Sequence, residues 1–132
     1  MTRQQKWAHA ALAKVASHKG KTDAEKKEES KYRTLCLKMP ALLKQSGVVQ
    51  ALAFIRSRDK DHGKKFCDEL AEAYGISATD SKKSAGETLQ DRAQKEELPQ
   101  YLVLSRDLIE VSVWFRRFAQ SELKAEDDDE ST

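Results

Sequence analysis

Leu98-Pro99-Gln100-Tyr101-Leu102-Val103-Leu104-Ser105-Arg106-Asp107-Leu108-Ile109-Glu110-Val111-Ser112-Val113-Trp114-Phe115-Arg116-Arg117-Phe118-Ala119 is the stretch that decides the fold. Its apolar residues recur every three or four positions, without the sustained alternation of a strand. Tyr101, Leu104, Leu108, Val111, Phe115 and Phe118 share one broad face of a helix starting near Leu98 and Pro99 and running to about Leu123. Leu102, Ile109 and Val113 form a second strip, which Val103 and Trp114 extend. A helix apolar on several sides is central in its bundle or covered by a partner.

The same spacing governs the chain upstream. A first helix is expected over residues 3–18, with Trp7, Ala11, Leu12 and Val15 inward and Gly20 as the stop. Thr22-Asp23-Ala24-Glu25 reads as a capping box, each side chain satisfying a free backbone N–H at the start of a second helix. Tyr32, Leu35, Cys36 and Met39 share a face of that helix, and Pro40 either kinks it or opens the next. A short helix then reaches Gly47, a C-cap. Val48, Ala51, Leu52 and Ile55 make one stripe, and residues 56–61 read as a charged loop or frayed end. A helix over 62–74 buries Phe66, Leu70 and Ala73; residues 76–86 read as a mobile loop, followed by a weak helix over 87–95. The expected fold class is all-α: a compact bundle of five to six helices over residues 1–123, one domain, with a disordered acidic C-terminal tail over 124–132.

The net charge of +2 hides an uneven distribution. Residues 1–75 carry 16 Lys/Arg against 9 Asp/Glu, whereas 124–132 carry one Lys and five acids. A basic body with an acidic tail is compatible with a polyanionic partner. Two cysteines and no export signal point to a reducing, cytoplasmic setting. No apolar run approaches the roughly 20 residues that cross a bilayer, so no membrane partner is expected.

No constellation for catalysis is legible. His9, His18 and His62 lack the spacing that puts two ligands on one helix face, and Cys36 and Cys67 lie far apart, so no metal and no cofactor is expected. The cysteines read as buried thiols. Glycines do not cluster into a phosphate loop. The acid groups Glu28-Glu29, Asp68-Glu69 with Glu72, and Glu96-Glu97 read as solvated faces.

The basic residues carry more information. Lys27, Lys31, Thr34 and Lys38 return to nearly the same angle at about 100° per residue. Such a row tracks phosphates without reading sequence, or else is a solvated edge beside the core stripe. Arg106 and Glu110 are spaced for an ion pair, and Arg116-Arg117 flank the apolar face of the last helix. The aromatic residues fit core positions, so backbone contact rather than base stacking is the expected mode.

Two blocks resemble a known family. Tyr32-Arg33-Thr34-Leu35-Cys36-Leu37-Lys38-Met39-Pro40-Ala41-Leu42-Leu43-Lys44-Gln45-Ser46-Gly47-Val48-Val49-Gln50-Ala51-Leu52-Ala53-Phe54 is similar to the pattern of the small subunit of type III-B CRISPR effector (Cmr) complexes. Tyr101-Leu102-Val103-Leu104-Ser105-Arg106-Asp107 with Val113-Trp114-Phe115-Arg116-Arg117-Phe118-Ala119 resembles that family's last helix. Ser46 stands where Asn is expected and Ser105 where Thr is common, both mild departures. The likeness spans most of residues 3–120.

The resemblance implies a non-catalytic helical subunit in an RNA-guided RNA-targeting machine of antiviral defence. Several copies would stack into a filament beside the backbone subunits, which hold the guide RNA and do the cutting. Base pairing would read sequence while protein reads backbone and shape. The expected partners are other Cmr subunits, further copies of this chain, guide RNA and target RNA. Lys31, Lys38, Lys44, Arg56, Arg58, Arg106 and Arg117 are the candidates for RNA contact. Trp7, Leu12, Leu35, Leu52, Phe66, Leu108, Phe115 and Phe118 are the expected core, and Gln50 serves a subunit contact or an internal hydrogen bond. Two alternatives stand beside this: a purely architectural subunit without RNA contact, and a free-standing helical DNA-binding regulator. The second needs polar side chains on a recognition helix, and the helix after Gly47 is instead rich in Val, Ala, Leu and Phe.

Overall fold

The structure, a computed structural model, describes residues 1–58, 60–78 and 82–125, with Lys60 described for its backbone alone. Among the described residues five helices follow in order: α1 (Arg3–Ala16), α2 (Asp23–Arg58), α3 (Lys60–Tyr74), α4 (Ala85–Lys95) and α5 (Leu98–Glu122). No strand occurs among the described residues. The expected tail from Glu126 onward and positions 79–81 of the expected loop lie outside the described residues.

Local chemistry sets the helix starts. Thr2 and Gln5 form a capping box on α1, and Ser84 and Glu87 form another on α4. At α2 the Glu25 N–H donates to Thr22 Oγ1 at 3.1 Å, and the Thr22 N–H returns to Glu25 Oε1 at 3.2 Å. The helix then runs through Pro40. The break falls instead at Gly47, whose φ of 81° and ψ of 167° suit glycine alone. Pro40 removes one donor and is buried, but packing on the core carries the helix past it.

Residues 56–58 and 60–61 are helical, where a charged loop or frayed end is expected. α2 ends at Arg58 and α3 begins at Lys60, so the chain reverses almost at once. Gly63 permits this: a Cβ there would meet the Ile55 carbonyl oxygen at 2.0 Å.

α5 packs on α1, α2 and α3, while α4 packs on α3 and α2. Phe66 and Phe115 are fully buried and meet edge to face at 5.9 Å, and Tyr32 meets Phe66 at 5.8 Å. Such aromatic pairs add about 0.5–1.5 kcal/mol beyond area burial. Leu52 and Leu108 are buried as expected. Leu12 is not: it stands exposed, because the i, i+4, i+8 line of Trp7, Ala11 and Val15 is the face that turns inward. Leu35 and Phe118 are half-buried at the rim of the core. The second apolar strip of α5 divides. Leu98 (67% exposed), Leu102 (58%) and Val103 (46%) face outward, whereas Ile109 and Trp114 are partly covered.

Candidate nucleic-acid interface

The lysine row lies on the first arm of α2. Tyr32, Cys36, Met39 and Leu43 turn one face of this arm into the core, leaving Lys27, Lys31, Thr34 and Lys38 exposed on the other. Lys31 has Glu28 at 3.9 Å. Thr34 donates its hydroxyl to the Ser30 carbonyl at 3.0 Å, so that proton is already committed. Lys44 is exposed but stands about 120° around the helix from Lys38.

The remaining candidates fall elsewhere. Arg56 and Arg58 lie beyond the Gly47 break. Arg56 is half-buried and donates to Gln90 Oε1, tying α2 to α4. Arg58 is exposed, its guanidinium 5.5 Å from the Phe54 ring centroid. Arg106 and Arg117 share the outer face of α5; Arg106 has Asp107 at 3.6 Å, and Arg117 lies 5.7 Å over Trp114. The expected pairing of Arg106 with Glu110 does not form. Glu110 accepts instead from Gln4 Nε2 at 2.8 Å, because the start of α1 lies against α5. The seven candidates therefore fall on three stretches of helix: the first arm of α2, its second arm, and α5. Lys27 joins the α2 row, and Arg116 is exposed near Arg117.

Glu29 and Glu69 are buried and Asp68 is half-buried, against the expectation that these acids are solvated, whereas Glu28 and Glu72 are exposed as expected. Glu29 is 6% exposed and accepts the Gly20 N–H at 2.8 Å and the Lys124 N–H at 2.7 Å. It pins the α1–α2 turn to the residue beyond α5. Glu69 is also buried; its oxygens take the Tyr32 hydroxyl at 2.8 Å and meet His18 Nε2 at 2.8 Å. His18 stacks on Tyr32 at 3.5 Å. Asp68 accepts the Gly86 N–H at 2.8 Å, fixing the start of α4. These acids sit where helix ends leave N–H groups without partners or where a buried ring needs an acceptor.

Burial, then Cys36 and Glu69 nearby, pushes the Tyr32 phenol far above its ordinary value. Burial likewise raises the Cys36 thiol and pushes Cys67 up to about 12. Among the described residues no group of three or more His, Cys, Asp or Glu converges on a metal position, and no helix is long and apolar enough to cross a membrane.

A family model described as a CRISPR-associated protein (Cas_Cmr5) matches residues 3–122. The CRISPR system Cmr subunit Cmr5 of Thermus thermophilus is 38% identical over 120 residues, covering 91% of this chain and 95% of the relative. The crystal structure of a CRISPR-associated Cmr5 family protein from the same organism superposes with a TM-score of 0.78 at 36% identity, over 94% of this chain and 100% of that one.

Proposed function

Because the chain belongs to the Cmr5 family of CRISPR-associated proteins, we propose that it is a non-catalytic subunit of a cytoplasmic type III-B Cmr complex that stacks with its copies and contacts RNA backbone. The observation that carries the RNA contact is the row of Lys27, Lys31 and Lys38, exposed on one face of a helix whose opposite face is locked in the core. A fixed row of ammonium groups matches a phosphate chain and reads no bases. The exposed strip of Leu98, Leu102 and Val103 on α5 supports a protein contact.

The architectural reading has its own support. Arg56 is half-buried and donates to Gln90, so it acts within the bundle, and Arg106, though exposed, has Asp107 at 3.6 Å. The test is Lys31→Glu with Lys38→Glu in the reconstituted complex, scored by target-RNA affinity across salt. RNA contact predicts weaker binding and a salt slope shallower by about 0.7 per lost contact. Unchanged affinity and slope in an intact complex would leave the architectural role alone.

A further inference from the structure

A cleft of about 440 Å³ opens between the start of α1 and the end of α3, lined also by Arg92 of α4 and Asp107 of α5. No residue of α2 lines it, so it stands apart from the lysine row. Asp107 is 3% exposed, and its two oxygens differ. Oδ2 accepts the Tyr74 hydroxyl at 3.1 Å. Burial, then Asp107 itself, raises the Tyr74 phenol, so that proton stays in place at neutral pH. Oδ1 is buried and accepts no hydrogen bond among the described residues. Guanidinium nitrogens of Arg3 and Arg106 stand 3.7 and 3.6 Å from it, close enough to balance its charge and too far to hydrogen-bond. Oδ1 therefore lacks a donor rather than a cation, a rare condition for a buried acceptor. Arg3 is its cover on the cleft side: it lines the cleft, is exposed, and lies 4.7 Å over the Trp7 ring.

We propose that this cleft binds a ribose phosphate, a sugar hydroxyl donating to Asp107 Oδ1 and the phosphate resting on Lys6 and Arg92. The charges favour an anion, since Arg3, Lys6 and Arg92 stand against one carboxylate. Lys6 is exposed and makes no ion pair among the described residues. Arg92 commits its Nε to Glu96 at 2.6 Å, and its terminal nitrogens remain for phosphate oxygens. A bare phosphate would leave Oδ1 without a donor and set its own charge against Asp107. A hydroxyl on the same molecule serves the acid while the phosphate serves the cations. Space is available: the volume lies in the range of small-ligand sites, and a Cβ on Gly75 would meet nothing within 4 Å. The hydroxyl requirement separates ribose from deoxyribose. A free nucleotide and a nucleotide within an RNA strand offer the same chemistry. The proposal does not rest on the role of the lysine row.

The test titrates the full chain with adenosine 5′-monophosphate, its 2′,3′-dideoxy counterpart, inorganic phosphate, and a short oligoadenylate as RNA and as DNA. The readouts are the NMR signals of the Trp7 indole N–H and the Gly75 amide, with Trp114, which lies outside the cleft, as internal control. The monophosphate is expected to shift Trp7 and Gly75 and to leave Trp114 in place. The dideoxy form should bind about tenfold more weakly, because the charged acceptor loses its donor. Asp107→Asn keeps an oxygen for Tyr74 and puts an NH2 where Oδ1 stood, so it should abolish that difference. Lys6→Ala, a change on the exposed surface, should weaken both nucleotides alike and covers the case in which Asp107→Asn does not fold. Shifts with the monophosphate uphold the proposal for a free nucleotide; shifts with the RNA oligomer alone, weaker with DNA, uphold it for a strand. Trp7 and Gly75 signals that no ligand moves would overturn it. So would a dideoxy nucleotide, DNA or inorganic phosphate that binds as tightly as its ribose counterpart, which would leave a plain anion patch. Undiminished ribose preference in a folded Asp107→Asn would overturn it as well.

Discussion

The Tyr101 hydroxyl oxygen accepts the Val48 N–H at 3.2 Å, one residue past the break at Gly47. A side chain of α5 thus caps the second arm of α2. Tyr101→Phe leaves that amide without its partner and is expected to cost about 1 kcal/mol. A fall of about 3–5 °C in the thermal midpoint would report it. Gly47→Ala should cost more, since it adds backbone strain and a Cβ 3.2 Å from the same oxygen.

Glu69 serves two partners at once, Tyr32 and His18. Glu69→Ala strands the phenol and the imidazole in a buried site and is expected to lose about 3 kcal/mol in urea unfolding. Glu69→Gln keeps an acceptor for Tyr32 and should lose less. Equal losses for the two variants would show that the hydrogen bond to Tyr32 contributes little.

Stability should fall at alkaline pH. The folded chain holds the protons of Cys36, Cys67 and Tyr32 above their ordinary values of 9.0, 9.0 and 10.0, whereas the unfolded chain releases them there. The unfolded state then binds fewer protons, so the stabilisation is complete below the thiol value and is lost as pH rises through the window. For Cys67 the window runs from 9.0 to about 12. Urea midpoints should be level near neutrality and lower at about pH 10. Cys67→Ala should flatten part of that fall.

Leu102 is exposed on the outer face of α5. Leu102→Glu is expected to change the stability of the isolated chain by no more than about 0.5 kcal/mol. In a reconstituted complex it should reduce incorporation of the subunit, measured by co-purification. A variant that incorporates normally would place the partner contact on another face.

The helices are legible in sequence because their signals are local. Thr22 and Glu25 cap α2 within one turn, and the 3–4 spacing of Leu104, Leu108, Val111 and Phe115 marks the buried side of α5. Gly47 as a stop is legible for the same reason. Glu29 and Glu69 are not, because their partners lie in other elements: Lys124 at the far end of the chain and His18 on the turn after α1. A Glu among lysines looks solvated until the chain ends that need it are brought together. The failed Arg106–Glu110 pair has the same origin, since Gln4 reaches Glu110 only once α1 lies on α5. The lysine row follows from helix angle alone, whereas the internal commitment of Arg56 to Gln90 depends on where α4 falls.

α5 follows the other four helices in the chain, yet it packs on α1, α2 and α3. A nascent chain that has emerged only through α4 presents Tyr32 and Phe66 without Phe115 to close on them. Its core has one wall missing. Synthesis and folding are therefore out of step in this chain. The bundle closes only after α5 has left the ribosome, and a message truncated before α5 yields a sticky product rather than a smaller working one.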